Sequence, residues 1–397
     1  MNPFRYLKQH GIKYTANIFY EFKIPVIEHR LACLITRFFP TSNTIVIESH
    51  NDFDENSGAF YNYLIKHHYN NKYKIVWLLR HKAPDYLPKN VSAYPVHGPN
   101  FKRELIISRA KYILTAQDCI GSSRDDQVSI YLTHGGFGLK KWKGKINLPR
   151  NLSYTLMPSD YLIPLESYNY SIENTKVKPL VLGYPEDDIL YTPSRNELSK
   201  ITKKSFSKVI LWMPTFRKGG GRVDTTKSGG IGIPIFNTIS EYTKLNKFLA
   251  ENNTLLIIKI HPMQEMSTVK IHSLSNIAVL DGMSVKRLGI DSYQLMKDTD
   301  ALISDYSSSA YDYMHLNRPV GFTMDDVKDY KLGLIVDDPD EFIGGQVINN
   351  KADFLNFVDD ILNNKDKYKR KREEVFDKVF KYHDGNSCKR LASFLNL

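Results

Sequence analysis

The sequence is poor in the residues that build disulfide scaffolds and thiolate metal sites. It holds three cysteines, Cys33, Cys119 and Cys388, far apart and without a CxxC pair. That leaves no disulfide framework, argues against a zinc–thiolate site and fits a reducing cytoplasm. Long apolar runs are missing as well. No stretch approaches the roughly 18 apolar residues of a membrane span, and the first residues lack the uninterrupted apolar core of a signal peptide. The expectation is a chain that stays on the side of the membrane where it is made. The absence of HExxH, GxSxG and GxxxxGK[ST] sets aside zincin, nucleophile-elbow and P-loop chemistry. No internal repeat is present.

What is present describes a folded enzyme-sized chain. Its 397 residues suit two domains, and 42% hydrophobic with 12% aromatic content supplies their cores. The net charge of +11 suggests an anionic partner: nucleic acid, a membrane surface or a phosphorylated substrate. Solubility in a lysine-rich proteome accounts for the same excess.

Residues 1–40 stand apart, rich in aromatic and basic side chains. From Ile24 a helical stripe begins, with Ile27, Leu31, Leu34, Ile35 and Phe38 on the same face and Arg30 and Arg37 beside it. Such an amphipathic segment can lie in a lipid headgroup layer. A helix packed on its own domain has the same pattern, and Glu21 and Glu28 dilute the basic signal.

From Thr44 onward, short β-rich runs alternate with helical patterns. The first series reads as strands at 44–48, 73–79, 112–115, 129–133, 161–164 and 180–182, with helices such as 58–68 and 100–109 between them. The second reads as strands at 209–213, 255–260, 278–280, 301–304, 319–322 and 334–336. Near-continuous apolar strands alternating with helices predict parallel sheets covered on both faces. The fold class is therefore α/β, with two Rossmann-like doubly wound domains at 41–192 and 193–364. A polar join lies near 191–204, and charged helices at 365–397 can return to the first domain.

In open parallel sheets, ligands bind beyond the carboxyl ends of the strands, so residues just after strands are the candidates. His134-Gly135-Gly136 follows one strand. An imidazole there is a usable general base, and the glycines allow backbone N–H groups to approach a phosphate. Lys140, Lys141 and Lys143 add positive charge. Arg217 follows another strand and can clasp two phosphate oxygens through its planar fork. The adjoining Lys218-Gly219-Gly220-Gly221-Arg222 has the composition of a cationic flap. His261-Pro262 is a second histidine at a strand's end. Asp305-Tyr306-Ser307-Ser308-Ser309 precedes a helix at 310–316, whose first turn attracts phosphate or is simply capped by serine. Of the paired aspartates, only Asp52 with Asp54 follows a strand, where a metal could be held.

Taken in order, these blocks resemble a known family. Thr133-His134-Gly135-Gly136-Phe137-Gly138-Leu139-Lys140, Gly183-Tyr184-Pro185-Glu186-Asp187, Met213-Pro214-Thr215-Phe216-Arg217, His261-Pro262, Asp305-Tyr306-Ser307-Ser308 and Arg318-Pro319 are similar to the motifs of the CDP-glycerol glycerophosphotransferases, the teichoic-acid primases and polymerases. Asp326 with Tyr330, and Asp384-Gly385, echo further elements. The resemblance implies a GT-B architecture, with a CDP-linked polyol bound mainly on the second domain. It implies transfer of a polyol phosphate, glycerol phosphate first, to a lipid-linked or polymeric glycan acceptor at the inner membrane surface, with release of CMP. His134 would take the acceptor's proton. Lys140, Arg217, His261, Asp305, Ser307 and Ser308 would hold the donor, with no metal required and Mg²⁺ possible. Thr133, Gly136-Phe137 and Glu186 depart from the usual tryptophan, Thr-Pro and arginine, which bears on the acceptor. A GT-B glycosyltransferase using a nucleotide sugar shares these features. A non-catalytic polyanion-binding protein, nucleic acid included, leaves the two strand-end histidines unexplained, so no nucleic-acid partner is expected.

Overall fold

The computed structural model describes residues 11–217 and 230–397. Two parallel sheets organise the chain. The first runs β1 (Ser42–Glu48), β2 (Lys74–Leu79), β3 (Val91–Pro95), β4 (Ala110–Thr115), β5 (Val128–Tyr131), β6 (Tyr154–Met157) and β7 (Lys178–Val181), in spatial order β3-β2-β1-β4-β5-β6-β7. The second runs β8 (Lys208–Trp212), β9 (Thr254–Lys259), β10 (Ile277–Leu280), β11 (Ala301–Ser304), β12 (Val320–Thr323) and β13 (Gln346–Ile348), in order β10-β9-β8-β11-β12-β13. Each sheet winds outward in both directions from a central pair, β1/β4 or β8/β11. This is the doubly wound topology, and the crevice above each central pair is where its ligand belongs.

The strands form because they are short, β-branched and buried on both faces. Ile45, Val46, Ile47, Ile210 and Leu211 are all fully buried. Two strand assignments from the sequence are corrected. Residues 161–164 lead into a helix, Ile163–Asn169, with proline in its first turn, where its missing N–H costs nothing; the strand is the preceding Tyr154–Met157. Residues 334–336 make only a single antiparallel bridge, Leu334 to Lys140, and the edge strand is Gln346–Ile348.

The first sheet ends at Val181 and the second begins at Lys208. After Lys369–Val379 the chain crosses back. The terminal helix Ser387–Phe394 packs on the first domain, where the Tyr112 hydroxyl donates to the Leu395 carbonyl, Phe394 meets Tyr154 edge-on at 5.1 Å, and Asp188 accepts from the Ser387 and Cys388 amides.

At the other end, Ile12–Ile18, a π-helical turn Phe19–Lys23 and Ile24–Thr36 form one helical run. Its polar side is bound to the first domain: Glu28 accepts from the Asn100 amide, and His29 bonds Glu104 and Ser123 at 2.9 and 2.8 Å. Its apolar side is bare, with Ile27, Leu31, Leu34, Ile35 and Phe38 between 49% and 76% exposed. Among the described residues, no helix is long and apolar enough to cross a membrane.

Candidate functional site

The crevice above β1/β4 is shaped by a buried carboxylate. Glu48, the last residue of β1, accepts from the Ala116 and Gln117 amides after β4 and pairs with Arg80 at 2.7 Å. This fixes Gln117, whose side-chain oxygen meets His134 Nδ1 at 2.9 Å. With an amide oxygen as partner, Nδ1 carries the proton and Nε2 keeps its lone pair. The His134 ring lines the cleft yet still touches solvent. Enclosure by protein lowers its pKa to about 4, aided by His50 and Lys140 and opposed by Asp54. The ring of His50 lies nearly parallel to it, 5.5 Å away and inclined by 19°.

The loop after His134 explains its glycines. Thr133 and Gly135 take positive φ of 61° and 78°. A Cβ on Gly136 would stand 2.3 Å from Asp312 Oδ1, and one on Gly138 would stand 2.9 Å from the Ser308 amide nitrogen. These glycines admit the second domain to close contact. Leu139 N donates to Tyr306 O, Lys141 N to Gly333 O and Ile335 N to Leu139 O. The loop is thus stitched across the cleft, carrying Lys140 into it. Burial lowers the Lys140 pKa, with Asp305 opposing and Arg217 reinforcing the change. Lys143 turns away to Glu173 at 2.8 Å.

On the second domain, Asp305 is fully buried above β8/β11. It accepts from the Thr215 amide and hydroxyl and from Arg217 Nη1 at 3.1 Å. Arg217 also pairs with Asp326. The guanidinium fork expected to clasp phosphate is therefore occupied by two carboxylates, and Asp305 faces inward to Thr215 and Arg217.

His261 accepts at Nδ1 from the Met263 amide, 3.0 Å away, leaving its proton on Nε2. Burial lowers its pKa to about 3, helped by Lys140, Lys259 and His134. His134 is therefore near enough to oppose the protonation of His261. Ser307 begins the short helix Ser308–Asp312 with its hydroxyl unused for capping, Ser308 Oγ borders Gly135, and Ser309 is committed to Ser304 at 3.0 Å. One cleft thus gathers His134, Lys140, His261, Ser307 and Ser308.

The remaining candidates are structural. Asp52 is filled by the Arg80 and His81 amides and the His81 ring. Arg318 donates to the Lys297 and Thr299 carbonyls, and Asp384 pairs with Arg390 at 2.8 Å. Residues 218–222 lie outside the described residues. Among the described residues, no group of three or more His, Cys, Asp or Glu is arranged to hold a metal ion.

Sequence reasoning passed over His50, Glu55 and Gln117. His50 carried a usable signal, since it stands just after β1 as His134 and His261 stand after their strands.

With this geometry in view, the relatives are informative. The sequence matches the family described as CDP-Glycerol:Poly(glycerophosphate) glycerophosphotransferase over residues 31–397. The chain belongs to that family. It is 25% identical over 343 residues to the teichoic acid glycerol-phosphate primase of Bacillus subtilis, covering 80% of this chain and 78% of that one. It is 28% identical over 255 residues to the teichoic acid ribitol-phosphate polymerase TarL of Staphylococcus aureus, covering 61% of this chain and 41% of that protein. The chain thus spans less than half the length of that larger relative. The fold is similar to the wall teichoic acid polymerase TagF, with a TM-score of 0.71 at 18% identity over 100% of this chain and 97% of that one.

Proposed function

We propose that this chain transfers a polyol phosphate, glycerol phosphate first, from a CDP-linked donor to a hydroxyl of a lipid-linked or polymeric cell-surface glycan, releasing CMP. The observation that carries the reading is the presence of two histidines of opposite tautomer in one cleft, beside a lysine and a serine-lined helix start, within a chain of this family.

The acceptor oxygen attacks the polyol-bearing phosphorus while His134 Nε2 takes its proton. The bond from that phosphorus to the bridging oxygen breaks, and CMP leaves. His261 Nε2–H donates to a pyrophosphate oxygen, and Lys140, with Ser307 and Ser308, offsets the charge gathering on the leaving group. Phosphoryl transfer depends on positioning and charge neutralisation, and these groups supply both. Asp305, Thr215, Arg217 and Asp326 hold the second domain's strand ends in register. Mg²⁺ bound with the donor's phosphates is compatible with this set, although no step depends on it.

The exposed face of the N-terminal helix supports an assignment to the inner surface of the membrane. Arg30 and Arg37 flank its bare apolar stripe, as at an interface with anionic lipid. A chain working there is cytoplasmic and peripheral, within reach of a lipid-linked acceptor.

The test is a donor panel. Purified protein is incubated with CDP-glycerol, CDP-ribitol and UDP-sugars, with acceptor and membrane lipid present, and the released nucleotide is identified. CMP from a CDP-polyol supports the reading. A nucleoside diphosphate from a UDP-sugar replaces it with glycosyl transfer.

A further inference from the structure

The proposed donor groups lie mainly on the second domain, leaving the first domain's own crevice, above β1/β4, to be explained. In a doubly wound sheet that crevice is the ligand position. His50 and Glu55 border it, His50 on the loop after β1 and Glu55 as the first residue of the helix Glu55–Lys66. We propose that His50 and Glu55 form the subsite for the acceptor's terminal polyol, hydrogen-bonding the hydroxyls beside the one that attacks; this rests on the transfer reaction proposed above.

Three observations carry it. The His50 ring is stacked on that of the proposed base, with centroids 5.5 Å apart, which sets it beside the group that the attacking hydroxyl must reach. His50 Nδ1 and Glu55 Oε2 are both buried without a hydrogen-bond partner. Such atoms are rare in folded proteins because each forfeits its solvation, and a bound hydroxylated ligand would satisfy both.

The loop is also built to hold them. Asp52, Phe53 and Glu55 all adopt positive φ, at 64°, 57° and 55°, a costly state for residues with side chains. Asp52 is locked there by the Arg80 and His81 amides. Gly58 leaves the room: a Cβ at that position would stand 2.2 Å from the Phe53 carbonyl oxygen. Asn56 ties the loop to the Leu132 and Thr133 carbonyls and to the Glu186 amide.

The chemistry fits a polyol. Burial, then Asp54 and Glu48, push the Glu55 pKa up to about 8, against the His50 backbone amide and Arg80. Glu186, itself raised by burial and by Glu55, faces it from the neighbouring turn. At neutral pH the Glu55 carboxyl keeps its proton and offers one donor and one acceptor. Adjacent hydroxyls offer the complement, and a neutral carboxyl does not repel a phosphodiester-linked chain.

The experiment compares the full-length protein with Glu55→Ala, Glu55→Gln and His50→Ala. An acceptor ending in glycerol is used, together with its analogue lacking the neighbouring hydroxyl. KM for the acceptor should rise roughly 10-fold in Glu55→Ala and His50→Ala, as for one lost hydrogen bond to a buried group. The dissociation constant of CDP-glycerol should stay within about 2-fold, and Glu55→Gln should recover most of the loss. Wild type should lose the same factor on the analogue, whereas Glu55→Ala should lose no more. Unchanged acceptor KM, or fully additive losses, would overturn the subsite while leaving the transfer reaction intact. Wild type that releases no CMP with either acceptor would overturn the transfer reading itself. Should Glu55→Ala fail to fold, Glu55→Gln and His50→Ala carry the same comparison.

Discussion

His134 and His261 hold their protons on opposite ring nitrogens: Gln117 fixes the His134 proton on Nδ1, and the Met263 amide fixes that of His261 on Nε2. One Nε2 can accept a proton where the other can donate a hydrogen bond. Removing the acceptor of the pair should cost the larger factor. His134→Ala is expected to slow transfer by about 10²–10⁴-fold, the range of a general base. His261→Ala should lose roughly 10–100-fold, as for a hydrogen bond to a charged partner. Single-turnover rates on the two variants check the order.

The pH dependence follows from the protein that surrounds the His134 ring. A free imidazole titrates at about pH 6.5, whereas His134 in the unliganded cleft titrates at about 4. The acid limb of kcat/KM, which reports the free enzyme, should therefore fall well below pH 6. Linkage gives the matching stability trend. With the folded pKa below the unfolded one, protonation favours the unfolded chain. The stability contributed by His134 is full above about pH 6.5 and is lost as pH falls toward 4. Denaturation at a series of pH values should show a shallower acid loss in His134→Ala.

Glu55 gives the opposite sign. Its folded pKa, about 8, lies above the unfolded carboxylate value, so its contribution is full below about pH 4.5 and is lost as pH rises through 8. Glu55→Gln should flatten the decline in melting temperature between neutral pH and pH 9.

The glycines of the His134 loop should tolerate no side chain. Alanine at Gly136 or Gly138 would press a Cβ against Asp312 or the Ser308 backbone. Overpacking of this kind costs about 1–3 kcal/mol. Thermal melts of Gly136→Ala and Gly138→Ala should shift down accordingly, with transfer falling further because Lys140 moves with the loop.

Asp305→Asn tests the positioning role. Breaking a buried ion pair by removing one partner costs about 3–5 kcal/mol. A loss of that size in denaturant titrations fits a carboxylate that holds Arg217 and Thr215. Normal stability with a raised KM for the donor would return Asp305 to direct donor contact.

Much of the fold was legible because a parallel strand buried on both faces is a continuous apolar run. Ala301–Ser304 and Thr254–Lys259 stand out for that reason. Tyr154–Met157 and Gln346–Ile348 are too short and mixed to announce themselves, and Tyr161 to Pro164 looked apolar enough to be mistaken for a strand. The histidines of the cleft were legible from their place after strands. The ion pairs of Arg217 were not, because its two carboxylate partners, Asp305 and Asp326, lie 88 and 109 residues away in sequence. The close fit around the His134 glycines was not legible either, because their neighbour, the start of the Ser308–Asp312 helix, meets them only through the folding of one domain against the other.

The N-terminal helix yields a prediction of its own. Leu31→Glu with Leu34→Glu should abolish sedimentation with anionic vesicles while leaving the melting temperature close to wild type, because both side chains are about half exposed.

The most direct test of the central claim is the identity of the nucleotide made when wild-type protein and His134→Ala each meet CDP-glycerol and a hydroxyl-terminated acceptor. CMP formed by wild type, matched by phosphodiester-linked glycerol on the acceptor and slowed at least about 10²-fold in the variant, is the predicted result. CMP at an equal rate from both proteins would contradict it.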